Sequence, residues 1–172
     1  ASVANNSEYM RYMRDEWGWE KRGEKALFEK LCLEGQMAGL SWLTVLMKRP
    51  AYRKAFFSFN VSKCASLTPA AIDRILADAA AGPGGHEAVV CNRLKLLSIP
   101  QNARSIKSLR SKPYKDPSGK LHRNLDSLLW SFVGGKPLLN NWKRAKDIPA
   151  VTSRAEEMSR VLKKLGFAFV GP

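Results

Sequence analysis

The stretch CLEGQMAGLSW, residues 32–42, carries one carboxylate, Glu34, among residues that otherwise read as protein interior. Upstream runs KALFEKL and downstream LTVLMKR, each apolar on one helical face. Leu27 and Leu31 lie two turns and one turn before Glu34. On a helix those positions overlay, so Glu34 points where the leucines point. A carboxylate buried there is costly unless it is paired, protonated or reserved for a ligand. A bond to the next helix's N-terminus, or to an arginine, would meet the first condition. Two features favour a ligand. Gly35 and Gly39 flank the turn and let backbone come close to something. Tyr9, Tyr12, Trp17, Trp19 and Trp42 are near in sequence. Some of these belong to ordinary core, yet a carboxylate beside aromatic faces suits a flat, cationic, hydrogen-bonding molecule.

Helices must position these residues. Helical periodicity dominates the chain, and no long alternating strand pattern occurs. One helix carries Leu27, Leu31 and Glu34; after the glycines a second carries Trp42, Leu43, Leu46 and Met47, and Pro50 opens a short aromatic segment. Thr68-Pro69 reads as an N-cap followed by proline at the first helical position. NRLKLLSIPQNARSIKSL reads as helix, with Pro100 forcing a kink or break. The pair Gly134-Gly135 ends a further helix. In the last helix, Ser153 and Glu156 read as a capping box and Gly166 as a C-cap.

The chain of 172 residues suits one domain or two small lobes, and its formal charge is +14. A protein this basic usually meets a polyanion, with nucleic acid first among them; a solvated surface rich in lysine is the plainer reading. Eleven of the basic residues fall between 101 and 146, opposed only by Asp116 and Asp126. That run could track a phosphate backbone or simply be a solvated face. Three cysteines without a CxxC pair point to reduced thiols inside a cell, cytoplasmic or nuclear. No apolar run is long enough to cross a membrane.

EYMRYMRDEWGWE followed by LFEKLCLEGQMAGLSWLTVLMKRPAYRKAF resembles the 3-methyladenine DNA glycosylase I family of the helix-hairpin-helix superfamily. NRLKLLSIPQNAR, LLWSFVGGKP and SRVLKKLGFAFVGP are similar to three further blocks of that family, so the likeness runs from about residue 8 to 172. The resemblance implies an all-α fold of two helical lobes with a base pocket between them, within one glycosylase domain over residues 1–172. It implies an enzyme that excises 3-methyladenine, with 3-methylguanine as a further candidate, from double-stranded DNA containing alkylated purines. It assigns Glu34 the catalytic role of hydrogen-bonding the excised base, Trp42 the stacking face, and Tyr9 and Tyr12 to the pocket. Gln36, Met37, Gly39 and Leu40 fall in the turn that faces DNA. Asn92, Arg93 and Lys95 fall in the hairpin region that grips phosphate. The stretch CLEGQMAGLSW itself holds no lysine to act as a Schiff-base nucleophile, so the expected enzyme is a monofunctional hydrolase, acting as a monomer without cofactor. A non-catalytic DNA-binding relative is one alternative: the retained Glu34, Trp42, Tyr9 and Tyr12 argue against it, and a missing early Trp argues for it. A basic RNA-binding or scaffold protein is another, and it gives Glu34 on an apolar face no reason.

The chain departs from the family in places. The family clips its termini with zinc through an early Cys, a His before E-W-G, and a tail Cys and His. Here Met13 takes the His position, the opening ASVANN lacks the Cys and an early pocket Trp, and Pro172 is the last residue. No zinc is expected, and His86 and His122 read as surface histidines. Residues 80–88 and 112–120 read as extra loops.

Overall fold

The computed structural model describes residues 6–82 and 84–172; the expectations for the missing Cys and Trp of the opening stretch lie outside these residues. The helices are α1 (Ser7–Asp15), α2 (Glu24–Gln36), α3 (Trp42–Ala55), α4 (Val61–Ala65), α5 (Pro69–Ala81), α6 (Arg93–Ser111), α7 (Leu125–Ser131) and α8 (Ser153–Lys164). Between α6 and α7 a small antiparallel hairpin pairs β1 (Tyr114–Lys115) with β2 (Leu121–His122). Among the described residues the fold is therefore all-α apart from this hairpin, which overlaps the span 112–120 expected to be an extra loop and places its second strand just beyond it.

Short polar side chains start most of the helices. Asn6, Ser41, Asn60, Thr68, Asn92, Asn124 and Thr152 each accept a bond from a backbone N–H in the first turn. Thr68-Pro69 does what its sequence predicts. The last helix starts one residue earlier than expected: Thr152 caps it through the Ala155 N–H, and Ser153 is its first residue.

Helix α6 is the central strut. Its buried residues run from Lys95 to Leu109, and it packs against α2, α4 and α5. It passes through Pro100 without ending, so of the expected kink or break the break does not occur. A proline costs a helix about 3 kcal/mol. Pro100 is buried, however, beside Leu96, Ile99, Ala103 and Ile106, all fully buried, and this apolar face outweighs the lost hydrogen bond. Pro50 is likewise inside α3 rather than after it.

A single apolar cluster runs from Phe28 to Val170. The C-terminal segment is part of it. Asn102, buried on α6, accepts from the Ala168 N–H at 2.8 Å and donates to the Ala168 carbonyl at 3.1 Å, as a neighbouring strand would. Ser159 donates to the Val170 carbonyl at 2.7 Å. The segment is thereby held against the end of α2. His122 is fully buried, not a surface residue: its ring bonds Ser127 Oγ at 2.7 Å through Nδ1 and Asp116 at 3.0 Å through Nε2, tying the hairpin to α7.

Candidate active site

Leu27, Leu31 and Glu34 do share a direction, as their spacing predicts, but it runs from the edge of the core, where the two leucines pack, out into a cleft. All three line an open cleft of about 970 Å³. The core face of α2 is instead Phe28, Cys32, Leu33 and Gln36. The Glu34 side chain is 43% exposed, so the expected burial of its carboxylate is corrected: the apolar stripe is a cleft wall, and a charge at its rim stays hydrated. The far walls come from α7, α8 and the C-terminal segment, including Leu129, Val133, Met158 and Phe169.

Gly35 explains how that segment can lie so close. A Cβ there would sit 2.9 Å from both Cβ and the carbonyl oxygen of Phe169. The backbone approach anticipated at this glycine is made by the protein's own chain. Gly39 has φ +73°, the left-handed conformation that turns the chain from α2 into α3.

Beside Glu34 stands an aromatic pair. Tyr12, buried on α1, and Trp42, first residue of α3, have ring centroids 5.3 Å apart, tilted by 48°. Tyr9 precedes Tyr12 by one turn on α1 and is half-buried. The Trp42 indole N–H is buried and meets no acceptor among the described residues, so the pair carries an unused donor. Into this group projects Lys30, one turn before Glu34. Its ammonium lies 2.6 Å from Glu34 Oε1, donates to Tyr12 Oη at 2.8 Å, and sits 3.9 Å from the Trp42 ring centroid. A carboxylate, a phenol oxygen and a π face thus converge on one positive charge. The arrangement is a cation site.

Arg49, largely buried on α3, keeps α1 in place to form it. Its guanidinium donates twice to Glu16, at 2.7 and 2.9 Å, and reaches Glu8 at 3.5 Å. Burial alone would raise the Glu16 carboxyl, but the bonds and charge of Arg49, with help from Lys21, hold it below the usual carboxylate range.

The methyladenine glycosylase family model matches residues 2–172. The chain belongs to the methyladenine glycosylase family. It is 36% identical over 169 residues to the DNA-3-methyladenine glycosylase of Haemophilus influenzae, covering 98% of this chain and 82% of that protein. To DNA-3-methyladenine glycosylase 1 of Escherichia coli K12 it is 35% identical over 171 residues, covering 98% and 81%. A solved structure of 3-methyladenine DNA glycosylase I (TAG) from Staphylococcus aureus, on the structural basis of 3-methyladenine recognition, superposes with a TM-score of 0.83 at 34% identity, covering 98% of this chain and 80% of that one.

Within this family frame the remaining expected residues divide. Gln36, expected to face DNA, is fully buried: it donates to the Lys95 carbonyl at 2.9 Å and accepts from Tyr52 Oη at 3.1 Å. Lys95, expected to grip phosphate, is also buried. Its ammonium donates to the carbonyls of Gln36, at 2.9 Å, and Ala38, and burial lowers its pKa. Lys95 thus supplies donors to carbonyls at the end of α2, which need them, and Gln36 ties the same end of α2 to α6. Met37 lines the cleft, while Ala38, Gly39 and Leu40 are exposed. Asn92 caps α6 through the Lys95 N–H, and exposed Arg93 pairs with Asp73 at 2.6 Å. Among the described residues no three His, Cys, Asp or Glu side chains gather as metal ligands, and no helix is long and apolar enough to cross a membrane.

The expectation that no lysine stands at the motif is corrected by Lys30, whose ammonium lies against Glu34, Tyr12 and Trp42 because it is one helical turn before Glu34. Arg49 and Glu16 are further residues of the site that no sequence motif marks. The four-residue spacing of Lys30 and Glu34 is the textual signal for their ion pair. The ring contacts of Lys30 involve three different helices and leave no such signal.

Proposed function

We propose that this chain is a monofunctional DNA glycosylase, one domain over residues 1–172, that excises 3-methyladenine, with 3-methylguanine next in line, from double-stranded DNA. It acts as a monomer in base-excision repair inside the cell, in cytoplasm or nucleus, without cofactor. One observation carries the reading: in a chain of the methyladenine glycosylase family, Glu34, Tyr12 and Trp42 converge on a positive charge at the edge of a large cleft.

The chemistry follows from the damage. A base in duplex DNA must be turned out of the stack before it can be cleaved. Methylation at N3 makes the purine cationic and weakens its bond to the sugar, so little acid catalysis of departure is needed. What the enzyme supplies is a preference for the damaged base. Glu34 accepts hydrogen bonds from it and favours its charge; Trp42 and Tyr12, with Tyr9 behind, offer π faces. Water adds to the sugar, leaving an abasic site. The exposed turn Met37–Leu40 is suited to fill the gap in the duplex. Asn92 and Arg93, at the N-terminus of α6, are suited to approach phosphate, where backbone N–H groups and the helix dipole favour an anion. Gln36 and Lys95 contribute by stiffening that turn.

The test is base release from DNA treated with a methylating agent, read by chromatography, for the wild type and Glu34→Ala. Loss of a hydrogen bond to a charged group predicts a fall of about 10- to 100-fold. Release at the wild-type rate by Glu34→Ala would remove Glu34 from the mechanism. Tight duplex binding with no release by the wild type would make the chain a non-catalytic relative.

A further inference from the structure

The cage formed by Glu34, Tyr12 and Trp42 already holds a cation, the ammonium of the protein's own Lys30. Lys30 lines the large cleft, and it also lines a small cavity of about 100 Å³ that includes Trp42, whereas Trp42 does not line the cleft. Lys30 therefore stands between the cleft and the face of Trp42. Its side chain is 31% exposed, and a flexible four-carbon stem can swing its ammonium out to the cleft without moving α2.

We propose that Lys30 is a specificity-determining residue: a resident cation that fills the cage between turnovers, is displaced by a cationic base, and returns to expel the neutral product. This rests on the reading of the cage as the base site. Displacing the ammonium removes its ion pair with Glu34, its bond to Tyr12 and its contact with the Trp42 ring. A base methylated at N3 is positively charged and makes replacements for all three. An undamaged purine is neutral and leaves Glu34 without a counter-charge, so Lys30 raises the discrimination between the two. Hydrolysis then reverses the balance. The bond between base and sugar breaks with its electron pair on the purine, which cancels the purine's charge. The water oxygen bonds the sugar carbon, and a proton goes to solvent. The product competes for the cage as a neutral molecule and loses to the ammonium.

The experiment is calorimetric binding of free, neutral 3-methyladenine to wild type, Lys30→Met, Lys30→Gln and Trp42→Ala, with turnover measured on methylated DNA. Removing the competitor should tighten binding about tenfold in both Lys30 variants, the equivalent of its cation–π and ion-pair contacts. Multiple-turnover excision should fall while the first turnover persists, because product stays bound. A lysine that merely braced the fold would lose affinity on replacement, never gain it; thermal unfolding of each variant confirms that it is folded. Binding by both Lys30 variants equal to or weaker than wild type, with binding abolished in Trp42→Ala, overturns the role of Lys30 and leaves the cage standing. Binding indifferent to Trp42→Ala overturns the cage and the inference together.

Discussion

Replacing Gly35 by alanine sets two effects against each other. Alanine stabilises a helix interior by about 1 kcal/mol relative to glycine. The added carbon, however, would lie 2.9 Å from both the Cβ and the carbonyl oxygen of Phe169. Ordinary carbon–carbon contacts begin near 3.5 Å and carbon–oxygen contacts near 3.3 Å, so both overlap by roughly half an ångström. The neighbour yields poorly. It is backbone and Cβ, not the end of a flexible side chain, and Asn102 and Ser159 fasten the residues on either side of it. Phe169 itself already has φ +55°, so little freedom remains there to absorb a shift. Overpacking of this kind costs about 1–3 kcal/mol, and contact with fixed backbone puts it in the upper half of that range. The net expectation is a loss of about 1–2 kcal/mol, a fall in Tm of roughly 2–8 °C for a chain of this size. Excision should also fall, because Phe169 and Gly171 line the cleft with Glu34. Differential scanning calorimetry with the base-release assay reads both. If Gly35→Ala melts at or above the wild-type temperature, helix propensity has won and the Phe169 contact is not why position 35 is glycine.

Other expectations follow from the same contacts. Lys95→Met deprives the carbonyls of Gln36 and Ala38 of a charged donor and should cost about 2–3 kcal/mol in denaturant unfolding; the slope of DNA affinity against salt should not change, whereas losing a phosphate contact would lower it by about one. Glu16 is held below its unfolded value, so its contribution to stability is complete above the unfolded carboxylate pKa and is lost as pH falls through the folded one. Urea unfolding from about pH 5 to pH 3 should therefore show a steeper loss for wild type than for Arg49→Met; parallel curves would mean that the Arg49 bonds do not set the Glu16 carboxyl.

Much of this protein is legible in its residues because local chemistry acts over a few positions. Asparagine, serine and threonine before apolar stripes mark helix starts, and Thr68-Pro69 marks one to the residue. The common direction of Leu27, Leu31 and Glu34 follows from helical geometry alone, and the LEGQMAGLSW block carries the family. What lies on the far side of each element is not local. Whether the Leu27–Glu34 stripe faces core or cleft depends on where α7, α8 and the C-terminal segment pass. Pro100 remains inside α6 because helices distant in sequence bury that face. Lys95 and Gln36 look like solvent-facing DNA contacts in the sequence, yet both are buried: the Lys95 ammonium serves the carbonyls of Gln36 and Ala38, and the Gln36 amide bonds the Lys95 carbonyl and Tyr52. Lys30 gains its place only when α1, α2 and α3 converge. Sequence determined the elements and the chemical types available to the site; tertiary structure decided which polar groups found partners and which were left at the cleft, because burial and pairing are properties of assembled surfaces rather than of neighbouring residues.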